Sequence, residues 1–220
     1  MMVNETPRES LLTPRGLLAV CVLFMVACWG KFLLPAAMQY GVDYAERLVL
    51  VGMVVVFGGY RFQASALNAR AVGLTVVTVV LALALFRVEQ KADLLIPILG
   101  ERTWGFEDIE SDTFFVFDLT VGLVLVAVSE ELVFRYQFMR AFPHDRVAQY
   151  GLSTALFAAI HAPQGVTGLV ATGLIGLLLM ALYRATRTLA APIAAHYFVN
   201  LILFAGWLDV LSNPADWFVT

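Results

Sequence analysis

Long apolar runs separated by short polar stretches divide the chain into seven segments. They run over residues 16–37, 48–60, 71–87, 113–139, 148–162, 166–183 and 189–207. A helix needs about 20 residues to cross a bilayer, so the second and fifth segments are short and would have to be tilted or extended at their ends. The pattern predicts an all-α protein, a polytopic bundle of about seven transmembrane helices.

Composition agrees with lipid as the main surrounding of the chain. Of its 220 residues 60% are hydrophobic and only 14% are charged, whereas a soluble domain carries about 25% charged residues. The net charge of −3 gives no reason to expect a nucleic-acid partner. Cys21 and Cys28 lie two helical turns apart, about 10 Å, which is too far for a disulfide, so we interpret them as packing residues.

Basic residues in the loops predict the orientation. Eight arginines fall in the stretches 1–15, 61–70, 140–147 and 184–188, against four basic residues on the other side: Arg47, Arg87, Lys91 and Arg102. The positive-inside rule then places the N-terminus in the cytoplasm and the tail outside. We divide the chain into a cytoplasmic segment 1–15, N-terminal helices and a loop over 16–111, a second helical domain over 112–207 and a tail over 208–220. The first helix is expected to stay as an anchor.

Three charged residues interrupt the fourth apolar segment in the stretch SEELVFR. Ionisable residues inside a membrane are costly and usually functional. Glu131 and Arg135 are four apart and share a helix face, so they can pair, whereas Glu130 points about 100° away. A purely structural ion pair explains Glu131 and Arg135 but leaves Glu130 unpaired, so the spacing favours Glu130 as the carboxylate left for chemistry.

Two histidines lie in the fifth and seventh apolar segments. Phe157 and His161 are four residues apart, as are His196 and Asn200, so each pair shares a helix face. A lone intramembrane histidine more often forms a hydrogen bond between helices. At about 1.5 Å per residue, however, Glu130 and His161 lie about 15 Å from the cytoplasmic side and His196 about 13 Å. The sequence therefore predicts that three helices bring these side chains to one level.

Such a cluster has the parts needed for attack of water on a carbonyl. A carboxylate in an apolar site can act as a general base, two imidazoles can orient a water, and an asparagine can donate to a developing oxyanion. Glu130, His161 and His196 also match the ligand set of a catalytic zinc with an open position. Neither a His-Glu-x-x-His helix, nor a Gly-x-Ser-x-Gly elbow, nor a Gly-Asp pair of aspartyl intramembrane proteases occurs in the sequence.

Other marked residues have structural interpretations. Lys31 is expected either to snorkel to the interface or to pair with an acidic group, and Asp118 to lie at the outer interface. A stripe of small residues in the sixth segment predicts close helix packing. Its members are Gly168, Gly173 and Gly176.

Together the motifs Glu130-Glu131-x-x-x-Arg135, Phe157-x-x-x-His161 and His196-x-x-x-Asn200 resemble the CAAX-processing and bacteriocin-processing (CPBP, or Abi) family of intramembrane endopeptidases, which includes the Rce1-type CAAX proteases. The resemblance covers about residues 112–207. The length of the chain and its Glu101–Phe106 loop are also similar to a bacterial CAAX-protease-related subgroup found near exosortase systems.

The resemblance implies roles for these residues. Glu130 would activate the attacking water with help from His161, and His196 and Asn200 would stabilise the oxyanion. Supporting roles would fall to Glu131, Arg135 and Phe157. The family is described both as glutamate-dependent and as metal-dependent. A divalent metal such as zinc, if used, would be held by Glu130, His161 and His196.

The resemblance also implies a setting and a substrate class. Family members often have eight spans, one more than the seven counted here. The substrate would be a membrane-associated protein or peptide, cleaved near its C-terminus. Only two of the fourteen basic residues are lysine, which is typical of a GC-rich bacterial genome. We therefore expect a multi-pass protein of the bacterial inner (plasma) membrane.

Two other functions are compatible with a charged cluster in a membrane bundle. A non-catalytic membrane protein of the same family, such as a bacteriocin self-immunity factor or a scaffold, would not need an unpaired Glu130 together with both histidines. A proton-coupled carrier would use Glu130 and His161 as a relay, but carriers usually show internal repeats, and none is visible in the sequence.

Overall fold

The computed structural model describes residues 11–61, 67–101, 105–106 and 108–208, and this part of the chain is helical without any strand. Seven helices follow one another within it. They are α1 (Pro14–Gly30, extended by a 3₁₀ turn at Lys31–Leu33), α2 (Ala36–Val56), α3 (Ala69–Leu95), α4 (Asp112–Ala141), α5 (a π turn at Ala148–Leu152 followed by Ser153–Ile160), α6 (Gly165–Thr186) and α7 (Ala190–Phe204).

Four helices are long and apolar enough to cross a membrane by length and composition. They cover Pro14–Leu33, Ala69–Leu95, Asp112–Ala141 and Ala162–Thr186, while Ala190–Phe204 is a shorter apolar helix. These helices support the prediction of an integral membrane protein. The count of seven or eight spans, the multi-pass arrangement and the orientation stay predictions. The tail after residue 208 and the first ten residues lie outside the described part of the chain.

The predicted start of the second helix, at residue 48, is wrong. Helix α2 begins at Ala36, twelve residues earlier, and its added first half carries Asp43, Glu46 and Arg47. These charges interrupt the apolar pattern and therefore gave the appearance of a loop. Asp43 and Arg47 are nevertheless buried, so Arg47 does not belong to the loop residues counted on the outer side.

Local sequence signals account for several helix boundaries. Thr13 accepts a hydrogen bond from the backbone N–H of Gly16, with Pro14 at the first helical position of α1, an arrangement that satisfies an unpaired donor of the first turn. Asn68 caps α3 in the same way through the N–H of Ala71 at 2.8 Å. The 3₁₀ turn at Pro97–Leu99 follows one residue after the end of α3 at Leu95.

Helix α4 lies at the centre of the bundle, and its middle packs against both α2 and α7. Helix α1 packs against α5, where the indole N–H of Trp29 donates to the carbonyl of Ile160 at 3.3 Å. Both cysteines are buried and free, as predicted. The first half of the chain therefore encloses the segment that carries the charged motif.

Two π-helical turns interrupt α4, at Asp118–Gly122 and at Leu132–Gln137. The second begins directly after Glu131. The hydroxyl of Ser153 on α5 donates to the carbonyl of Phe134 within this turn, which ties the widened segment of α4 to the neighbouring helix. Single π turns of this kind are frequent at functional sites.

Candidate active site

Glu130 is held by an arginine that the sequence analysis did not assign to it. Its Oε1 atom accepts a hydrogen bond from Arg47 Nη1 at 2.8 Å, and its side chain is almost inaccessible. The prediction that Glu130 is unpaired is therefore wrong. The other oxygen, Oε2, has no hydrogen-bond partner among the described residues and lies 3.8 Å from His196 Nε2.

Arg47 connects Glu130 to a buried group of charges between α1 and α2. Its Nε atom donates to Asp43 Oδ2 at 2.8 Å, and its Nη1 atom also lies 3.3 Å from Ser129 Oγ. Asp43 in turn pairs with the ammonium group of Lys31, which also lies 2.9 Å from Glu46 Oε1. Of the two interpretations for Lys31, pairing with an acidic group is therefore confirmed.

Glu131 lies between Arg135 and His196. Its Oε2 atom is 3.1 Å from Arg135 Nε, the ion pair that the four-residue spacing predicts. Its Oε1 atom is 3.0 Å from His196 Nδ1. A carboxylate oxygen can only accept, so the ring nitrogen that faces it carries the proton. Glu131 thereby fixes the orientation of the His196 ring.

Arg135 is fully buried and rests on an aromatic ring. Its guanidinium carbon lies 4.6 Å from the ring centre of Phe157, a cation–π contact. None of its side-chain nitrogens forms a hydrogen bond within the described part of the chain. Its attachment to the site thus depends on the ion pair with Glu131 and on Phe157.

Phe157 also packs against both imidazoles. Its ring centre is 5.0 Å from that of His161 and 6.1 Å from that of His196. His161 Nδ1 lies 2.8 Å from the carbonyl oxygen of Phe157, so this nitrogen donates and Nε2 keeps its lone pair. His161 and His196 both interact electrostatically with Glu130. The three predicted motifs therefore come together, as the estimated depths indicated.

Asn200 and Asp118 lie farther from this cluster. Asn200 is on α7 one turn beyond His196, is partly buried, and its side chain forms no hydrogen bond with another described residue. Asp118 lies in the first π turn of α4, where its Oδ1 accepts from the hydroxyl of Tyr44 at 2.7 Å. Asp118 is thus a half-buried polar link between α4 and α2, and its place at the outer interface stays a prediction.

The donor atoms as arranged do not fit a metal centre. Within the described ranges no three His, Cys, Asp or Glu side chains come together closely enough to hold an ion. One oxygen of Glu130 is bound by Arg47 and therefore could not serve as a ligand. The zinc hypothesis therefore contributes no step to the mechanism below.

The sequence contained a signal that would have revealed Arg47. Asp43 and Arg47 are four apart, the spacing of a helical ion pair, and Lys31 precedes them in an apolar run. Interpreting this stretch as a helix would have placed an arginine inside the bundle, available for the extra carboxylate at position 130.

Comparison with protein families gives one match. Residues 112–202 match a family model described as type II CAAX prenyl endopeptidase Rce1-like. No curated protein and no solved structure matches the chain. The matched segment contains all three motifs from which the resemblance was drawn and supports the resemblance to Rce1-type proteins over these residues, while α1, α2 and α3 lie before it.

Proposed function

We propose, from the Rce1-type family assignment of residues 112–202, that the protein is an intramembrane endopeptidase. Its substrate is a membrane-associated protein or peptide, and it hydrolyses a peptide bond near the C-terminus. The observation that carries the proposal is the position of Glu130: one oxygen is anchored by Arg47, and the other, without a hydrogen bond among the described residues, faces His196.

In the proposed reaction Glu130 acts as the general base. A water molecule in contact with Glu130 Oε2 and a histidine Nε2 loses a proton to the carboxylate, and its oxygen attacks the carbonyl carbon of the scissile bond. His161 supports the orientation of this water, because its Nδ1 is occupied by the carbonyl of Phe157 and its Nε2 keeps a lone pair. A positioned base of this kind contributes about 10²–10⁴-fold to a rate.

The tetrahedral intermediate needs donors for its oxyanion. Asn200 supplies a side-chain N–H from the same face of α7 as His196. Because Glu131 accepts the Nδ1 proton of His196, Nε2 of this ring donates to the oxyanion only in the doubly protonated imidazolium form. When the intermediate collapses, the carbon–nitrogen bond breaks and the proton held by Glu130 passes to the leaving amine. Loss of one such donor costs about 10²–10³-fold in kcat.

A comparison of cellular C-termini tests the proposal and identifies substrates at the same time. Cells producing the wild-type protein are compared with cells producing Glu130→Gln, which removes the base but keeps the shape of the side chain. We expect a set of shortened C-termini that is present only with the wild-type protein. The control is Glu110→Gln, the same change at an exposed carboxylate, and its C-termini should match those of the wild type.

A second candidate function gains support from the correction at Glu130. Because Arg47 neutralises this carboxylate, an unpaired charge no longer argues against a non-catalytic membrane protein of the same family. In that case the charges would only lock α1, α2, α4 and α7 together. Identical C-termini with wild-type and Glu130→Gln protein, both present in equal amounts in the membrane, would favour this second function and contradict the first.

A further inference from the structure

We propose that Arg47 is a positioning residue of the active site, contributed by a helix outside the segment that matches the family. It fixes the carboxylate of Glu130 through Oε1, so that Oε2 stays directed at the histidines. This inference rests on the proposed endopeptidase function. It adds to that function a requirement for α2, which the matched residues 112–202 do not contain.

The contacts of Arg47 support a positioning role. It lies only 7% exposed between two carboxylates and uses different nitrogens for them: Nε for Asp43 and Nη1 for Glu130. The same Nη1 approaches Ser129 Oγ, which itself donates to the carbonyl of Val126. Arg47 therefore holds Glu130 from a fixed direction.

The position of Arg47 is itself determined from the opposite side. Asp43 binds Arg47 through Oδ2 and Lys31 through Oδ1, and the guanidinium carbon of Arg47 lies 5.7 Å from the ring centre of Phe24 on α1. The resulting order of contacts is Lys31, Asp43, Arg47, Glu130. A series of ion pairs thus runs from the end of α1 through α2 to the proposed base on α4.

An arginine suits this position better than a lysine. The planar guanidinium offers several donors in a fixed fork, whereas an ammonium group is a single point charge on a flexible stem. A lysine at position 47 would keep the charge but could not reproduce the separate Nε and Nη1 contacts. Charge and geometry can therefore be separated by substitution.

Among the described residues, five other charged or titratable side chains face, adjoin or interact electrostatically with Glu130, one of them the thiol of Cys28 on α1. His196 approaches from α7 and His161 from the end of α5, while Glu131 and Arg135 belong to α4 itself. Arg47 is the contributor from α2. Removing the positive charge of Arg47 favours the protonated form of Glu130. A protonated carboxylate cannot act as a base, so the variant should lose activity at a pH where the wild type is still active.

The test measures kcat/KM against pH in membranes containing the protein. The probe is a quenched fluorescent, farnesylated peptide that ends in a CAAX sequence. For Arg47→Met we expect a loss of about 10²-fold, the effect of a displaced catalytic group, and an acid limb at higher pH than that of the wild type. Arg47→Lys should keep an acid limb near that of the wild type, because the positive charge stays. It should lose about tenfold in kcat, less than the loss for Arg47→Met, because the carboxylate is displaced less.

Controls separate this inference from the function on which it rests. Arg184→Lys makes the same change at a partly buried arginine that hydrogen-bonds Gln149 on the other side of the bundle, and it should behave as the wild type. If the wild-type protein cleaves the probe no faster than Glu130→Gln, the proposed function fails and the inference fails with it. If the wild type cleaves and Arg47→Met has the same rate and pH profile, only the inference is overturned.

A folding defect is distinguished by the conservative variant. Thermal unfolding of the detergent-solubilised protein shows whether Arg47→Met is folded. If Arg47→Met is not folded, the positioning role is tested with Arg47→Lys instead. A lower kcat with unchanged KM and unchanged midpoint of unfolding supports the positioning role, and an unchanged kcat overturns it.

Discussion

At the scale of single residues, one aromatic ring contacts three polar side chains of the proposed site. Phe157 supports the guanidinium of Arg135 on its face and packs beside the rings of both His161 and His196. Its side chain is 2% exposed. An apolar residue thus determines the relative positions of three polar ones, because none of them can move without losing contact with the ring.

Replacement of Phe157 by leucine should reduce both stability and activity. Leucine keeps the apolar volume approximately but removes the ring face under Arg135, whose buried cation–π contact contributes about 2 kcal/mol. We expect the free energy of unfolding to fall by about 1–3 kcal/mol and the cleavage rate by about tenfold, through loosened histidines. Thermal unfolding and cleavage of the CAAX probe measure the two effects.

The matched control is Phe115→Leu. Phe115 lies on α4 and is 38% exposed, so the same substitution there should change the free energy of unfolding by about 0.5 kcal/mol or less. Equal effects of the two substitutions would contradict a special role for the ring of Phe157.

The motif residues were predictable from the sequence because their spacing is local. Glu131 with Arg135 and Phe157 with His161 are each four apart on one helix, and helical periodicity alone decides that they meet. The contacts between Glu131 and His196 and between Arg47 and Glu130 join residues 65 and 83 positions apart. Such contacts depend on how helices pack, which spacing along the chain does not determine.

At the scale of helices, glycines on α6 make room for α5. A Cβ atom at Gly176 would lie 3.0 Å from Cδ1 of Phe157, whereas one at Gly173 would lie 3.5 Å from the nearest side-chain atom, that of Ala158. The predicted close packing of this glycine stripe is thus confirmed where α6 meets α5. A methyl group at position 176 would press on the ring of Phe157, whereas a methyl group at position 173 would only contact Ala158.

Gly176→Ala should therefore impair the site, and Gly173→Ala should not. The added methyl group at position 176 pushes the Phe157 ring towards the histidines, and overpacking of this kind costs about 1–3 kcal/mol. At position 173 the methyl group is in ordinary contact. We expect a lower midpoint of thermal unfolding and slower probe cleavage only for Gly176→Ala. Equal behaviour of the two variants would contradict this account.

The helices themselves were largely predictable, and the exception has a physical reason. The apolar segments predicted the ends of α1 and of α3 to α7 to within a few residues, except that they missed the last two turns of α3. They also missed the first half of α2, because Asp43, Glu46 and Arg47 have the composition of a loop. Their charges are tolerated inside the bundle because each has an oppositely charged neighbour, and pairing between helices is invisible to a pattern of single residues.

At the scale of the whole molecule, the ion pair between Arg47 and Glu130 joins two groups of buried charges, one in each half of the chain. Lys31 and Arg47 come from the part before the family-matched segment, and Glu130 and Glu131 from within it. Burying charges is costly unless each is paired in good geometry. The two halves therefore depend on each other: loss of one member leaves its partner as an uncompensated buried charge.

The only two lysines of the chain, Lys31 and Lys91, allow a direct test of this dependence. Lys31 is 4% exposed and pairs with Asp43 and Glu46, whereas Lys91 is exposed on α3. Lys31→Met leaves the partly buried Glu46 without its cation and Asp43 with Arg47 alone, and loss of one member of a buried ion pair costs about 3–5 kcal/mol. Lys91→Met should change the free energy of unfolding by about 0.5 kcal/mol or less.

Thermal unfolding in detergent compares the two variants, and an amine-reactive reagent adds an independent measurement on the wild-type protein. The folded protein should be modified at Lys91 and protected at Lys31, and heating through the transition should expose Lys31. Because Asp43 connects Lys31 to Arg47, Lys31→Met should also slow cleavage of the CAAX probe at temperatures where the variant is still folded. Similar midpoints for the two variants, or equal modification of the two lysines, would contradict a stabilising role for the buried charges around Lys31.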